Sequence, residues 1–206
     1  MSTAVVSKED ILKLREKTGA GFMECRDALQ ETGGDVDRAV QILRRKGIQV
    51  AEKKSGREVK EGLVYSYIHP GSRVGVLIEV ACETDFVARN SDFQAFVKDV
   101  ALQVAASRPR YITRQDVPPA VVESEKNIYA SQISGKPLAV VEKIVAGKLE
   151  KFYQETCLLD QPFIKRPDVN IQAYLVETIA RIGENIVIRR FTRYELGEDI
   201  RPHVTT

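Results

Sequence analysis

The apolar residues of this chain change their spacing once, and that change constrains the fold more tightly than anything else in the sequence. Up to residue 47 they recur every three or four positions, and past a polar stretch they alternate. Spacings of 3.6 and of two belong to helices and strands respectively, so helices come first and a sheet follows. Ser7 with Asp10 opens a helix whose Ile11 and Leu14 share a face, and Thr18-Gly19-Ala20-Gly21 breaks it. Phe22, Cys25, Ala28 and Leu29 line a second helix, which Gly33-Gly34 stops. Asp35 caps a third, with Val36, Ala39, Val40 and Leu43 at i, i+3, i+4 and i+7 and Gly47 as its expected stop. The reading is a three-helix bundle.

Residues 47 to 61 lose the apolar period and mix charges, as a solvated connection does. A boundary near Ser55 divides the chain into a three-helix domain over 1–55 and an α+β core over 56–206. In the core, Leu63, Tyr65 and Tyr67 alternate, Pro70-Gly71-Ser72 turns, and Val74, Val76, Ile78, Val80 and Cys82 alternate again, which predicts a β-hairpin. The segment 83–90 reads as a strand-to-helix connection. Ser91 with Gln94 reads as a capping box for a helix carrying Phe93, Phe96, Val97, Val100, Ala101 and Val104. Pro118-Pro119 and Lys136-Pro137 open two further helices that pack as a hairpin, the second interrupted at Gly147. A last helix ends at Gly183, and Ile186 to Leu196 supplies a strand to a small antiparallel sheet. The fold class is α+β.

The chemistry of the chain is sparse. Its two histidines, His69 and His203, have no metal-ligand spacing, and its three cysteines, Cys25, Cys82 and Cys157, form no C-x-x-C pair, so no metal, cofactor or catalytic residue is expected. Gly19-Ala20-Gly21 follows a helix rather than a strand and is a helix–helix turn, not a dinucleotide loop. There is no membrane-length apolar run and no hydrophobic leader at the N-terminus, which places the expected site of action in the cytoplasm. Lys and Arg number 31 against 29 Asp and Glu, and residues 1–55 hold 11 against 9, too little excess for a surface that grips phosphates. Arg189, Arg190 and Arg193 interleave with Phe191 and Tyr194 as in some RNA-binding strands, although Glu195, Glu198 and Asp199 blunt that field. Direct nucleic-acid binding is not expected, and an RNA-binding accessory protein stands as the competing class.

Thr84-Asp85-Phe86-Val87 admits two readings. An aromatic just past a strand is usually a core anchor, whereas an acid beside a bulky ring on a tight connection makes a wedge with a polar handle. Composition does not choose between them.

Three stretches resemble translation elongation factor Ts: Leu14-Arg15-Glu16-Lys17-Thr18-Gly19-Ala20-Gly21-Phe22-Met23-Glu24-Cys25, then Cys82-Glu83-Thr84-Asp85-Phe86-Val87-Ala88-Arg89, then Gly183-Glu184-Asn185-Ile186 through Arg193-Tyr194-Glu195. The resemblance implies a ubiquitin-associated-like (UBA-like) three-helix head followed by the α+β core. It implies no enzyme but an exchange factor that promotes GDP release from elongation factor Tu. It implies that Phe86 is a wedge entering near the partner's switch helices and disturbing its magnesium and phosphate site, with Asp85 as polar companion and Thr84 and Val87 shaping the segment. Arg15, Phe22 and Met23 are implied to form the head's contact with that partner. The chain is similar to the short form of the family, and a homodimer built around the last strand is implied, with the tail 200–206 having no clear counterpart.

Overall fold

A computed structural model of the protein describes residues 6–133 and 135–198. The order of elements is α1 (Lys8–Thr18), α2 (Phe22–Glu31), α3 (Val36–Lys54), β1 (Glu61–Ile68), β2 (Val74–Cys82), α4 (Asp85–Ala88), α5 (Ser91–Ser107), α6 (Pro119–Ser131), α7 (Leu138–Thr156), β3 (Pro162–Phe163), β4 (Arg166–Asn170), α8 (Ile171–Ile182) and β5 (Ile186–Glu195). The class is α+β, as expected. The expected tail 200–206 and His203 lie outside the described residues.

The chain forms two compact units, each assembled from separated segments. One comprises Met1–Leu63, Glu79–Val97 and Ala173–Arg189; the other comprises Val64–Ile78, Lys98–Gln172 and Arg190–Thr206. The division expected at Ser55, with 1–55 and 56–206 as domains, is therefore not the division between compact units. The three N-terminal helices share a unit with the Thr84–Val87 segment and with α8.

Within the first unit, the helical head buries Ile11, Leu14, Cys25, Ala28, Leu29, Ala39, Ile42 and Leu43 against one another. Each large aliphatic side chain so buried contributes about 1.5–3 kcal/mol. The caps that close its helices are the ones the sequence announces. Ser7 Oγ accepts from the Asp10 amide at 3.0 Å, Asp35 Oδ1 accepts from the Arg38 amide at 3.0 Å, and Gly19, at φ 67, ends α1 by donating to the Arg15 carbonyl at 2.7 Å.

Gly47 does not stop α3. The helix runs on to Lys54, and Gly47 is buried in its interior because α8 lies close: a Cβ there would meet Ala180 Cβ and Val176 Cγ1 at 3.7 Å. The start of the supposed connection is thus helical. At the end of α3, Lys54 Nζ donates to the Gly183 carbonyl, and Asn185 Nδ2 donates to the carbonyls of Arg57, at 2.9 Å, and Ser55, at 3.4 Å. Phe93, Phe96 and Val97 at the head of α5 are fully buried, with the Phe96 and Tyr174 rings 5.2 Å apart. The expected Ser91–Gln94 box gives way to Asn90, whose Oδ1 accepts from the Asp92 amide at 2.7 Å and whose carbonyl accepts from the Gln94 amide.

The strands run in the order β1-β2-β5, with β1 and β2 joined by a tight turn in which the His69 amide donates to the Val74 carbonyl at 2.9 Å. In the second unit α6 and α7 pack as the expected helical hairpin, Lys148 reaching from α7 over the Tyr129 ring of α6 and to Gln132 just past its end. Gly147 leaves α7 uninterrupted. A small antiparallel pair, β3 with β4, has no counterpart in the sequence reading. It is held by buried Gln103 on α5, whose amide donates to the Pro162 carbonyl at 3.2 Å and whose oxygen accepts from the Ile164 amide at 3.0 Å. Arg114 ties α7 to the following turn by bonding both oxygens of Glu150 and the carboxylate of Asp160, and those partners hold its guanidinium firmly protonated.

Candidate functional site

The strand-to-helix connection between β2 and α5 contains a single helical turn, α4. Thr84 is its N-cap, at φ −129 and ψ 156, and its Oγ1 accepts from the Val87 amide at 3.3 Å. The turn closes with the Ala88 and Arg89 amides bonded to the carbonyls of Thr84 and Asp85, both at 3.2 Å. Ala88 is buried and Val87 half-buried, so the turn is seated by its C-terminal half. Phe86 points the other way and is 80% exposed, which removes the core-anchor reading of this ring. A ring this exposed gains little from folding.

Asp85 does not stand as an isolated polar handle. It is ion-paired with Arg89 one turn on, and the Arg89 guanidinium carbon sits 6.0 Å from the centroid of the Phe86 ring. Arg89 was absent from the residues singled out in the sequence; the i, i+4 spacing of an acid and an arginine is the signal that could have found it. With both side chains largely exposed, the pair adds little stability, and its effect is to gather charge around the ring.

Beneath the turn, residues a hundred positions away hold the backbone in place. Glu184 Oε2 accepts from the amides of Glu83, at 3.1 Å, and Thr84, at 3.0 Å, while Oε1 accepts from the Thr84 hydroxyl at 2.7 Å. The bonding is reciprocal, because Glu83 Oε1 accepts from the Asn185 amide at 2.6 Å and Glu83 Oε2 lies 3.4 Å from Arg57. The Asn185 amide, helped by Arg57, holds the Glu83 carboxyl below the usual carboxylate range. The Cys82 thiol donates to the Thr84 carbonyl at 3.2 Å, and burial, with the Glu184 charge nearby, pushes it up to about 11. It is a neutral donor at neutral pH and not a nucleophile. Cys25 is likewise buried and pushed up by that burial, its thiol turned to the Ala20 carbonyl.

Arg15, Phe22 and Met23 flank the turn between α1 and α2. Gly21 opens α2, its amide bonded to Glu24 Oε2 at 3.0 Å, so the next two residues stand at the exposed helix start, Phe22 at 39% and Met23 at 54% exposure. Arg15 is exposed in the last turn of α1, with Leu12, also exposed, one turn before it on the same face. Leu12 escaped the sequence reading because it falls about 100° from the buried Ile11 in the adjacent position. The segments 84–87 and 15–23 belong to one compact unit.

The cationic end of β5 is open in part: Arg189 and Arg190 are exposed, and Arg193 is not. The Arg193 side chain is nearly buried, donating to the Ala105 carbonyl at 3.2 Å and to Glu195 at 2.8 Å. Among the described residues there is no cluster of His, Cys, Asp and Glu able to hold a metal ion, and no helix long and apolar enough to cross a membrane.

Comparison with known proteins gives a consistent result. The family described as "Elongation factor TS" matches residues 7–178. The chain is 58% identical over 192 residues to "Elongation factor Ts" of Alkaliphilus oremlandii, covering 92% of this chain and 88% of the relative. It is 55% identical over 194 residues to the protein of the same name from Thermodesulfovibrio yellowstonii, covering 94% and 97%, and 52% identical over 198 residues to that of Carboxydothermus hydrogenoformans, covering 95% and 91%.

Proposed function

Since the chain belongs to the elongation factor Ts family of translation elongation factors, we propose that it acts as a guanine nucleotide exchange factor for elongation factor Tu in the cytoplasm. The observation that carries the reading is Phe86, 80% exposed on a turn that is held by bonds from elsewhere in the protein. A solvated ring on a fixed mount is suited to enter a partner's packed elements. Its companion Asp85 brings Arg89 with it, Thr84 and Val87 give the turn its shape, and Arg15, Phe22 and Met23 supply a second contact from the head, which we take to be UBA-like.

The mechanism is differential binding. A factor that binds the nucleotide-free GTPase more tightly than the GDP-bound one must, by linkage, weaken GDP by the same factor. Intrusion of Phe86 near the partner's switch helices displaces the groups that hold its magnesium ion and neutralise the GDP phosphates, so GDP leaves and GTP rebinds. No bond in the factor changes, and it has no catalysis of its own to perform. Small amounts of the protein, added to purified elongation factor Tu loaded with fluorescent GDP, are expected to speed release by about fivefold or more, the low end of ordinary coupling energies. Release at the unstimulated rate would overturn the proposal.

We also infer a homodimer. Val64 and Ile68 on β1, Leu77 on β2 and Tyr194 on β5 occupy outward positions of adjacent strands and are between 51% and 71% exposed. An apolar sheet face of this kind is normally covered, and a second copy covers it by symmetry. Light scattering at micromolar concentration is expected to give about twice 23.1 kDa. A single 23.1 kDa species would contradict the dimer and leave the exchange proposal standing.

A further inference from the structure

A one-turn helix has little capacity to order itself. Its few internal bonds do not offset the entropy of fixing the turn, and its first amides have no partner inside it. In α4 the two amides that lead into the turn, those of Glu83 and Thr84, are both taken by one oxygen of Glu184, and the other oxygen takes the Thr84 hydroxyl. That last bond has a further effect. With its proton committed to Glu184, Thr84 Oγ1 is left to accept from the Val87 amide, the bond that caps the turn. One carboxylate therefore fixes both the backbone entering the turn and the rotamer of the cap. Bonds to an ionised acceptor are stronger than neutral ones, and three of them converge here.

Glu184 is in turn held from behind. Asn185, its neighbour, bonds Glu83 through its amide and the carbonyls of Ser55 and Arg57 through its side chain. Gly183, on the other side, receives Lys54. The bonds of the carboxylate go to Glu83 and Thr84, at the entrance of the turn, and not to Phe86.

We infer that Glu184 is a positioning residue for exchange: its carboxylate sets the orientation in which the α4 turn presents Phe86. This inference rests on the reading of Phe86 as the wedge. Removing the carboxylate leaves the head untouched, so it acts on the step that follows docking and not on docking.

Exchange measured over a range of factor concentrations tests it, with Glu184→Ala, Phe86→Ala and the double variant compared against the native protein. In Glu184→Ala the maximal GDP-release rate is expected to fall about tenfold, while the half-saturating concentration moves by less than about twofold. Glu184→Gln, which keeps one oxygen for the two amides, should recover to within about threefold of the native rate. The double variant should be no slower than Phe86→Ala alone, because a misplaced ring that is already absent costs nothing more. Amide exchange at Val87 and Ala88 should quicken in Glu184→Ala. If Glu184→Ala does not fold, Thr84→Val, which removes the hydroxyl that receives the clamp, replaces it in the same comparisons.

A native rate in Glu184→Ala beside a slow Phe86→Ala would overturn the positioning role and leave the wedge standing. Losses that multiply in the double variant would also overturn it, because they would mark a general structural contribution. A native rate in Phe86→Ala would bring down the wedge and this inference together.

Discussion

Replacing Phe86 by alanine is expected to leave the protein folded and to abolish most of its stimulation of GDP release. The ring is 80% exposed, with the Arg89 guanidinium 6.0 Å from its centroid, so truncation removes little native contact. The cap at Thr84, the clamp at Glu184 and the buried Ala88 all remain. Stability should therefore stay within about 0.5 kcal/mol of native, the ordinary range for surface changes. The effect on exchange should be far larger. Truncating a central aromatic anchor of an interface costs about 2 kcal/mol or more, which is about thirtyfold in rate when the contact forms only as the nucleotide is displaced. Fluorescent-GDP release beside a thermal melt separates the two quantities, and undiminished exchange in a folded variant would sink the wedge assignment.

The largest expected loss of stability comes from Gly62→Ala. Gly62 sits on β1 at φ +145, where a Cβ would lie 2.2 Å from the Val80 carbonyl oxygen and 2.7 Å from Ala81 Cα on β2. Both obstacles are backbone, so no side-chain rotation relieves them, and the φ itself is one that alanine rarely adopts. The strands must part at the very end of the hairpin that leads into Cys82 and α4. A loss of about 3 kcal/mol or more is expected in the unfolding free energy, read as a lowered urea midpoint, well above the typical point substitution. Gly147→Ala is the control, since nothing lies within 4 Å of a Cβ there and the residue is inside a helix. If Gly62→Ala unfolds at the native midpoint, the close approach of these two strands is not as described.

These two residues also mark where the amino-acid sequence speaks plainly and where it does not. Ser7, Gly19 and Asp35 announce their helix ends because capping is local, decided within four residues. Gly47 misleads by the same local rule. Its surroundings are set by Val176 and Ala180, about 130 positions on, which pack against it, and so a glycine that looks like a stop lies buried inside α3. The turn at Thr84 is too short to show any period, and β3 and β4, of two and five residues, are shorter than the alternation needed to recognise a strand. Phe86 stands out by residue type and by family resemblance, and Arg15, Phe22 and Met23 by the resemblance alone. The exposure of Phe86 was not legible, because the same aromatic just past a strand packs inward in most proteins. Glu184 and Asn185 carry no local signature at all; their bonds to Glu83 and Thr84 exist only once the chain has brought two stretches a hundred residues apart into register.

The unbroken α3 braces the helical head within the first unit, with Gly47 beside Val176 and Ala180, Lys54 on Gly183, and Asn185 on Ser55 and Arg57. Between Gly183 and Asn185 stands Glu184, bonded to Glu83 and Thr84. Three consecutive residues thus form one abutment shared by the end of α3 and the start of α4, and a substitution among them bears on both.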